Sequence, residues 1–104
     1  MDIQGLMRGA QEMQKKMQKA KDEISKQTFE GSAGGGLVKV TVSGDAIAKK
    51  VNIDDSLMEK QEKDVLEDLL VAAFNDAKKK ADDASESSMK SIAGGIPLPP
   101  GFKL

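Results

Sequence analysis

An unbroken heptad repeat runs through the first 26 residues of the chain. Apolar or small side chains recur there at alternating intervals of three and four, at Ile3, Leu6, Ala10, Met13, Met17, Ala20 and Ile24. A straight α-helix drifts away from a 3.5-residue repeat, so a repeat of this length predicts one long helix that packs along a second long helix. Because two of the seven positions are alanine, the pattern would make only a weak isolated coiled coil.

The next region, residues 27–53, has the two-residue period of half-buried β-strands. We expect three short strands whose apolar faces carry, in chain order, Phe29, Gly31 and Ala33, then Val38, Val40 and Val42, then Ile47, Val51 and Ile53. The turns between them are predicted at Gly34–Gly36 and at Gly44–Asp45. A three-stranded antiparallel meander of this kind leaves one apolar face that helices must cover.

The glycine-rich segment at residues 31–36 also has the two-glycine spacing with which a phosphate-binding loop begins. Such a loop needs Lys and Ser or Thr after its last glycine, and it leads into a helix whose N-terminus faces the anion. Here Leu37 and Val38 stand at those positions, and a strand follows. A hairpin turn is therefore favoured over a nucleotide site.

A three-and-four apolar period returns from Leu57 to about Ile92 and predicts a second long helix. Ser56 and Glu59 have the spacing of a capping box at its start. Its apolar side changes from Leu and Phe to Ala along the chain, so the far end is expected to pack closely and to bury little surface. Two glycines at positions 94 and 95 are expected to end it.

These elements predict an α+β fold with a long N-terminal helix, a three-stranded antiparallel meander and a long C-terminal helix, in the order α-β-β-β-α. Residues 1–95 are expected to form a single domain, and residues 96–104 a Pro-rich extended or flexible tail. The chain has only three aromatic residues with which to build a core. We therefore expect a second copy of the chain to complete it.

Two residue types that often carry chemistry are missing, since the 104-residue chain has no Cys and no His. Without Cys there is no disulfide, thiolate nucleophile or Cys-based metal site, and without His the usual general base near neutral pH is lost. We therefore expect no catalytic residues, no cofactor, no metal site and no small-molecule substrate. The acidic clusters at residues 54–55 and 64–68 favour helix capping and solubility over cation binding.

The longest uninterrupted apolar run, Leu69–Phe74, is far shorter than the ~20 residues that a membrane span requires. The N-terminal residues have no apolar stretch typical of a signal peptide. Together with the absence of Cys, these features favour a cytoplasmic protein that does not associate with membranes.

Basic residues are concentrated in the first predicted helix, although the net charge of the chain is −1. Residues 1–26 carry six basic and four acidic side chains, whereas residues 54–92 carry six and eleven. On the first helix Arg8, Lys15, Lys19 and Lys26 lie opposite the heptad seam, and on the second helix Lys78 and Lys79 point away from the apolar stripe. The candidate DNA contacts are these six residues together with Lys16.

A row of Lys on an exposed helix can follow a phosphate backbone, because each neutralised phosphate releases condensed counterions. The chain has few Arg and no arrangement for reading base edges, so any DNA binding is expected to depend on shape and charge. Lys interleaved with acidic residues is also typical of an ordinary solvated helix face, and spacing alone favours that interpretation.

Four blocks of sequence, taken in order, are similar to one known family. They are the Met-rich first helix with Met13-Gln-Lys-Lys-Met17, the segments Phe29–Gly44 and Leu66–Lys80, and the closing Gly94-Gly95 with Pro-Pro-Gly-Phe102. Over the whole chain, this order resembles the YbaB/EbfC family of bacterial nucleoid-associated proteins. The resemblance implies a tweezer-like homodimer with helices projecting from a joined sheet region. It also implies DNA binding that organises the nucleoid and influences gene expression.

On this resemblance we expect a cytoplasmic, nucleoid-located homodimer that binds double-stranded DNA with little sequence specificity and alters its conformation. Lys and Arg on the projecting helices would contact the phosphates. The alternative is a non-catalytic protein-interaction module, in which the Met-containing seam and the tail bind a replication or repair factor.

Overall fold

The computed structural model describes residues 3–94, which form two long helices and one small sheet. In chain order the elements are α1 (Ile3–Lys26), β1 (Thr28–Ala33), β2 (Val38–Ser43), β3 (Ala48–Ile53), two single 3₁₀ turns (Asp55–Leu57 and Lys60–Glu62) and α2 (Lys63–Gly94). The predicted α+β fold and its α-β-β-β-α order are confirmed. The Pro-rich tail predicted at 96–104 lies outside the described residues.

The three strands form an antiparallel sheet in the order β1-β2-β3. Phe29 lies opposite Val42 on the first pair of strands, and Val38 lies opposite Ile53 on the second. Gly34, Gly35 and Gly36 join β1 to β2 with φ angles of 65°, 68° and 96°. Residues other than glycine rarely adopt these backbone angles. The predicted glycine hairpin turn is therefore confirmed.

One prediction for the last strand is wrong. The register shifts between Thr41 and Val42, so that Val42 lies opposite Ala48 while Thr41 lies opposite Lys50. One extra residue in β3 makes a β-bulge, which changes the face of every residue before it. Ala48 therefore takes the position beside the buried valines that the sequence pattern assigned to Ile47, and the Ile47 side chain is 51% exposed.

The core lies between the sheet and the part of α2 that ends at Ala81. Its fully or almost fully buried side chains come from β2, from the first 3₁₀ turn and from one face of α2, namely Val38, Val40, Val42, Leu57, Ala73, Ala77 and Ala81. The small alanines let α2 lie directly on the sheet. A Cβ added to Gly31 would overlap the backbone of Ala73 and Ala77, so the close approach requires glycine in β1.

The second helix begins later than predicted, at Lys63 rather than at Leu57. The Asp54 carboxylate accepts hydrogen bonds from the Ser56 backbone N–H at 3.0 Å and from the Ser56 hydroxyl at 2.5 Å. The Ser56 hydroxyl is therefore engaged by Asp54, and the predicted capping box with Glu59 is wrong. Leu57 turns into the core instead and is only 4% exposed.

The last part of α2 packs against α1 in the opposite direction. The seam residues from Met13 to Ile24 are half-buried or buried, so the predicted packing along a second long helix is confirmed for this part of the seam. Ile24, near the end of α1, is buried and lines one groove together with Ser85, whereas Met13, earlier in α1, lines another groove together with Ile92. We call α1 together with residues 82–94 the arm. The arm gives the molecule its elongated form of 70 × 27 × 15 Å.

Packing within the arm is thin, as the two alanines of the seam predict. Ile24 is the buried seam residue, Met13 and Met17 are half-buried, and Ile3 is 69% exposed. Over residues 3–94, neither helix has a long apolar stretch of the kind that crosses a bilayer.

Candidate nucleic-acid interface

The basic side chains of α1 are exposed along its length: Arg8, Lys15, Lys16, Lys19, Lys21 and Lys26. From Arg8 to Lys26 the helix rises about 27 Å at ~1.5 Å per residue. Each of the five positions that the sequence predicts as DNA contacts on this helix is therefore accessible to a ligand in solution. The fold places the row on an arm that projects from the sheet.

These side chains are divided between two sides of the helix. Lys15 and Lys21 line an open groove of about 540 Å³ together with polar side chains such as Gln14. Lys16 lies at the rim of a different groove, beside Met13 and facing the end of α2. The structure therefore brings Lys15 and Lys16 to two different grooves of α1.

The basic residues of α1 have no carboxylate within ion-pairing distance among residues 3–94. The nearby acidic residue Asp22 accepts a hydrogen bond from the Gln18 side chain at 3.0 Å, and its carbonyl accepts one from the Ser25 hydroxyl. Acidic side chains are interleaved with the basic ones on this helix, but they do not neutralise them by direct contact.

The basic residues of α2 are arranged differently. Lys78 forms an ion pair with Asp82 at 2.6 Å, and Lys90 forms one with Glu86 at 3.3 Å. Lys79 is exposed, while Lys78 is held by a carboxylate one turn away. Of the two α2 residues predicted as DNA contacts, Lys78 thus has the surroundings of an ordinary solvated helix face.

Sequence reasoning missed a polar junction that fixes α2 to β1. The Asp76 carboxylate accepts a hydrogen bond from the Ser32 backbone N–H at 3.1 Å and lies 3.4 Å from the Lys80 ammonium. The hydrogen bond from Ser32 and, to a smaller degree, the Lys80 charge hold the pKa of Asp76 below its usual value. Lys80 also donates to the Glu30 carbonyl at 2.9 Å. Ser32 and Asp76 are 44 residues apart and Glu30 and Lys80 are 50 apart, so a local sequence pattern cannot predict these hydrogen bonds.

A second exposed surface is apolar and lies where β3 meets α2. We call it the sheet-edge patch and define it by the apolar residues that line a shallow depression of about 330 Å³, Val40, Ala48, Val51, Leu70, Val71 and Phe74; Asn75 lines the same depression. Val51 is 46% exposed and Val71 is 62% exposed. β3 is also an edge strand of the sheet. An exposed apolar patch beside an open strand edge is typical of an interaction surface.

Two relatives are similar to this chain in sequence over almost its whole length. A nucleoid-associated protein of Bordetella avium is 52% identical over 102 residues, which cover 98% of this chain and 94% of that protein. One of Rickettsia akari is 46% identical over 98 residues, covering 94% and 92%.

An uncharacterized protein from Helicobacter pylori has a similar crystal structure, with a TM-score of 0.70 and 27% identity, over 91% of this chain and 96% of that one. The model of the YbaB/EbfC DNA-binding family matches residues 1–96. With a family model matched over nearly the whole sequence and relatives near 50% identity, the chain belongs to the YbaB/EbfC DNA-binding family.

Proposed function

We propose that this protein binds double-stranded DNA in the nucleoid as a homodimer, with little sequence specificity, through phosphate contacts from α1. The observation that carries the proposal is the row of exposed α1 cations that have no ionic partner among the described residues. The nucleoid-associated names of the relatives support the cellular site. Binding by two projecting arms would alter the path of the DNA and, through it, gene expression.

The chemistry of the row favours phosphates over bases. Lys15 and Lys19 lie one helical turn apart, about 6 Å along the axis, and each offers an ammonium that can displace a condensed counterion. Bidentate base contacts depend mainly on Arg, Asn and Gln placed in a groove, and Arg8 is the chain's single Arg. Gln14 and Gln18 beside the row can donate hydrogen bonds to phosphate oxygens as well.

The homodimer is proposed from the sheet-edge patch. A two-fold axis brings the same surface of two protomers together. Val51 and Val71 of one protomer would then cover the apolar side chains of the sheet-edge patch on the other. Burial of this surface would supply the core that a chain with three aromatic residues cannot complete alone. The two arms would then project from one central body and could engage the same duplex.

Charge reversal on α1 tests the DNA proposal. The double variant Lys15→Glu with Lys19→Glu reverses two adjacent charges of the row. Lys60→Glu with Lys63→Glu is the matched control, because it changes the net charge equally at exposed positions before and at the start of α2. Fluorescence anisotropy with a labelled 30-base-pair duplex of random sequence gives both affinities at low salt.

We expect the α1 variant to lose roughly tenfold or more in affinity, because it removes direct phosphate contacts. The control should lose only a small part of that, because salt screens the attraction between the phosphates and charges that do not contact them. Light scattering verifies that both variants keep the oligomeric state of the wild type. Equal losses in the two variants would move the contact surface away from α1.

A further inference from the structure

The free end of the arm has an apolar groove that the DNA proposal does not use. We call it the tip groove and define it by Leu6, Gly9, Ala10 and Met13 of α1 and Ile92 of α2, which enclose a volume of about 430 Å³. Glu12 and Lys16 form its polar rim. Leu6 is 58% exposed and the adjacent Met7 is 59% exposed. An apolar groove left this open exposes surface whose burial would be favourable.

Glycine at position 9 makes the groove accessible to another stretch of backbone. A Cβ added there would meet no heavy atom within 4 Å, so packing between α1 and α2 does not require the glycine. Glycine inside a helix lowers helix stability relative to other residues. The space above Gly9 is therefore a gap that an incoming chain can approach closely.

The chain itself continues from this groove. Ile92 lines it, Gly94 is the last described residue, and residues 95–104 follow with the sequence Gly-Ile-Pro-Leu-Pro-Pro-Gly-Phe-Lys-Leu. Ten residues reach about 30 Å at ~3.1 Å each, whereas the groove from Leu6 to Met13 is only about 10 Å long at ~1.5 Å per residue. The segment begins at the groove and is long enough to cover it.

We propose that residues 95–104 fold back and occupy the tip groove of their own chain. Four apolar side chains, Ile96, Leu98, Phe102 and Leu104, are available to cover Leu6 and the gap at Gly9. The three prolines bring no N–H groups that would need partners on an apolar surface, and their fixed φ angles lower the entropy lost on docking. Lys103 is complementary in charge to Glu12 on the rim.

A single tryptophan tests the docking, because the chain contains no Trp or Tyr of its own. In the Phe102→Trp protein we expect an emission maximum at shorter wavelength than in a free peptide of residues 95–104 with the same substitution. Adding Gly9→Gln fills the gap and should return the emission to the peptide value. Gln14→Ala is the matched control, since it also favours the helix but lies on the other groove of α1, and it should leave the shifted emission unchanged.

Emission at the peptide value in the Phe102→Trp protein would overturn the proposal, and so would a shift that Gly9→Gln does not reverse. A shift that arises only after duplex DNA or a second protein is added would also overturn it. Circular dichroism verifies that each variant keeps the helix content of the wild type.

A disulfide cross-link identifies which chain holds the segment, because the protein has no Cys. We expect Leu6→Cys combined with Leu98→Cys to close an intramolecular disulfide under mild oxidation, and Gln14→Cys combined with Leu98→Cys to do so much more slowly. A cross-link that joins two chains would contradict docking on the same chain. Equal rates for the two pairs would contradict the tip groove as the site.

Discussion

Gly31 of β1 lies directly against the backbone of Ala77 in α2, with no room for a side chain between them. Ala77 is fully buried, as are Ala73 and Ala81 one turn to either side. The sheet and α2 are thus held together by small residues at close range rather than by large apolar side chains. This relationship decides which substitutions the fold tolerates.

Gly31→Ala is expected to destabilise the protein strongly, because its methyl group would overlap the backbone of Ala73 and Ala77 and force the helix away from the sheet. Overpacking of this kind costs about 1–3 kcal/mol or more. Urea unfolding followed by circular dichroism gives the change in the free energy of unfolding. Gly35→Ala is the control. Gly35 has a positive φ of 68°, but a Cβ added there meets no atom within 4 Å. A larger loss at Gly35 than at Gly31 would contradict the account.

Gly44→Ala is expected to loosen the arm. A Cβ at Gly44 would overlap the Ile24 backbone carbonyl and side chain, at the point where α1 meets the β2–β3 turn. The Gly44 N–H also donates to the Gln27 carbonyl at 3.1 Å, which secures the same joint. Hydrogen exchange should therefore show faster exchange of α1 amides, while β2 amides keep most of their protection. Unchanged exchange in α1 would show that Gly44 does not set this joint.

Asp76→Asn is expected to remove a pH-dependent part of the stability. Because its hydrogen bond from Ser32 lowers the pKa of Asp76 in the folded state, the stabilisation is present above the usual value of 3.8 and is lost as the pH falls through the lower folded value. The variant should thus be less stable than the wild type at pH 7, and the two should converge in acid. Asp83→Asn, an exposed change on the same helix, is the control. A wild-type advantage that persists in strong acid would contradict the proposed role of the carboxylate.

Val51→Lys is expected to disrupt the proposed homodimer by placing a charge in the sheet-edge patch. Thr28→Lys is the matched control, because Thr28 is exposed on the opposite edge strand. Size-exclusion chromatography with light scattering measures the mass of each. We expect the mass of one chain for Val51→Lys and of two chains for the control and the wild type. A dimer that survives Val51→Lys would place the interface elsewhere.

Local patterns predict most of the fold. The heptad from Ile3 to Ile24 gives α1 and its helical partner, and the alternating valines give β2. What the patterns miss depends on competition between neighbours or on contacts across the fold. The Ser56 hydroxyl donates to Asp54 instead of capping α2, which begins later than predicted. The register of β3 depends on its pairing with β2, and a two-residue period does not predict where a bulge shifts that pairing.

In the candidate site, too, local patterns predict some features and not others. Exposure of the α1 cations follows from helix geometry, since positions opposite a buried seam face solvent. The ion pair between Lys78 and Asp82 also has a sequence signal, since Asp82 is the one acidic residue three or four positions away from Lys78. Which of the basic residues contact DNA stays a prediction.

The salt dependence of duplex binding tests the central claim most directly. Anisotropy titrations of the wild-type protein with two unrelated 30-base-pair duplexes would be repeated from low to near-physiological salt. We expect the logarithm of the association constant to fall linearly with the logarithm of salt concentration, by about 0.9 for each phosphate contacted, and equally for both sequences. Absence of binding at the lowest salt, or binding that salt leaves unchanged, would contradict a phosphate-binding function for this protein.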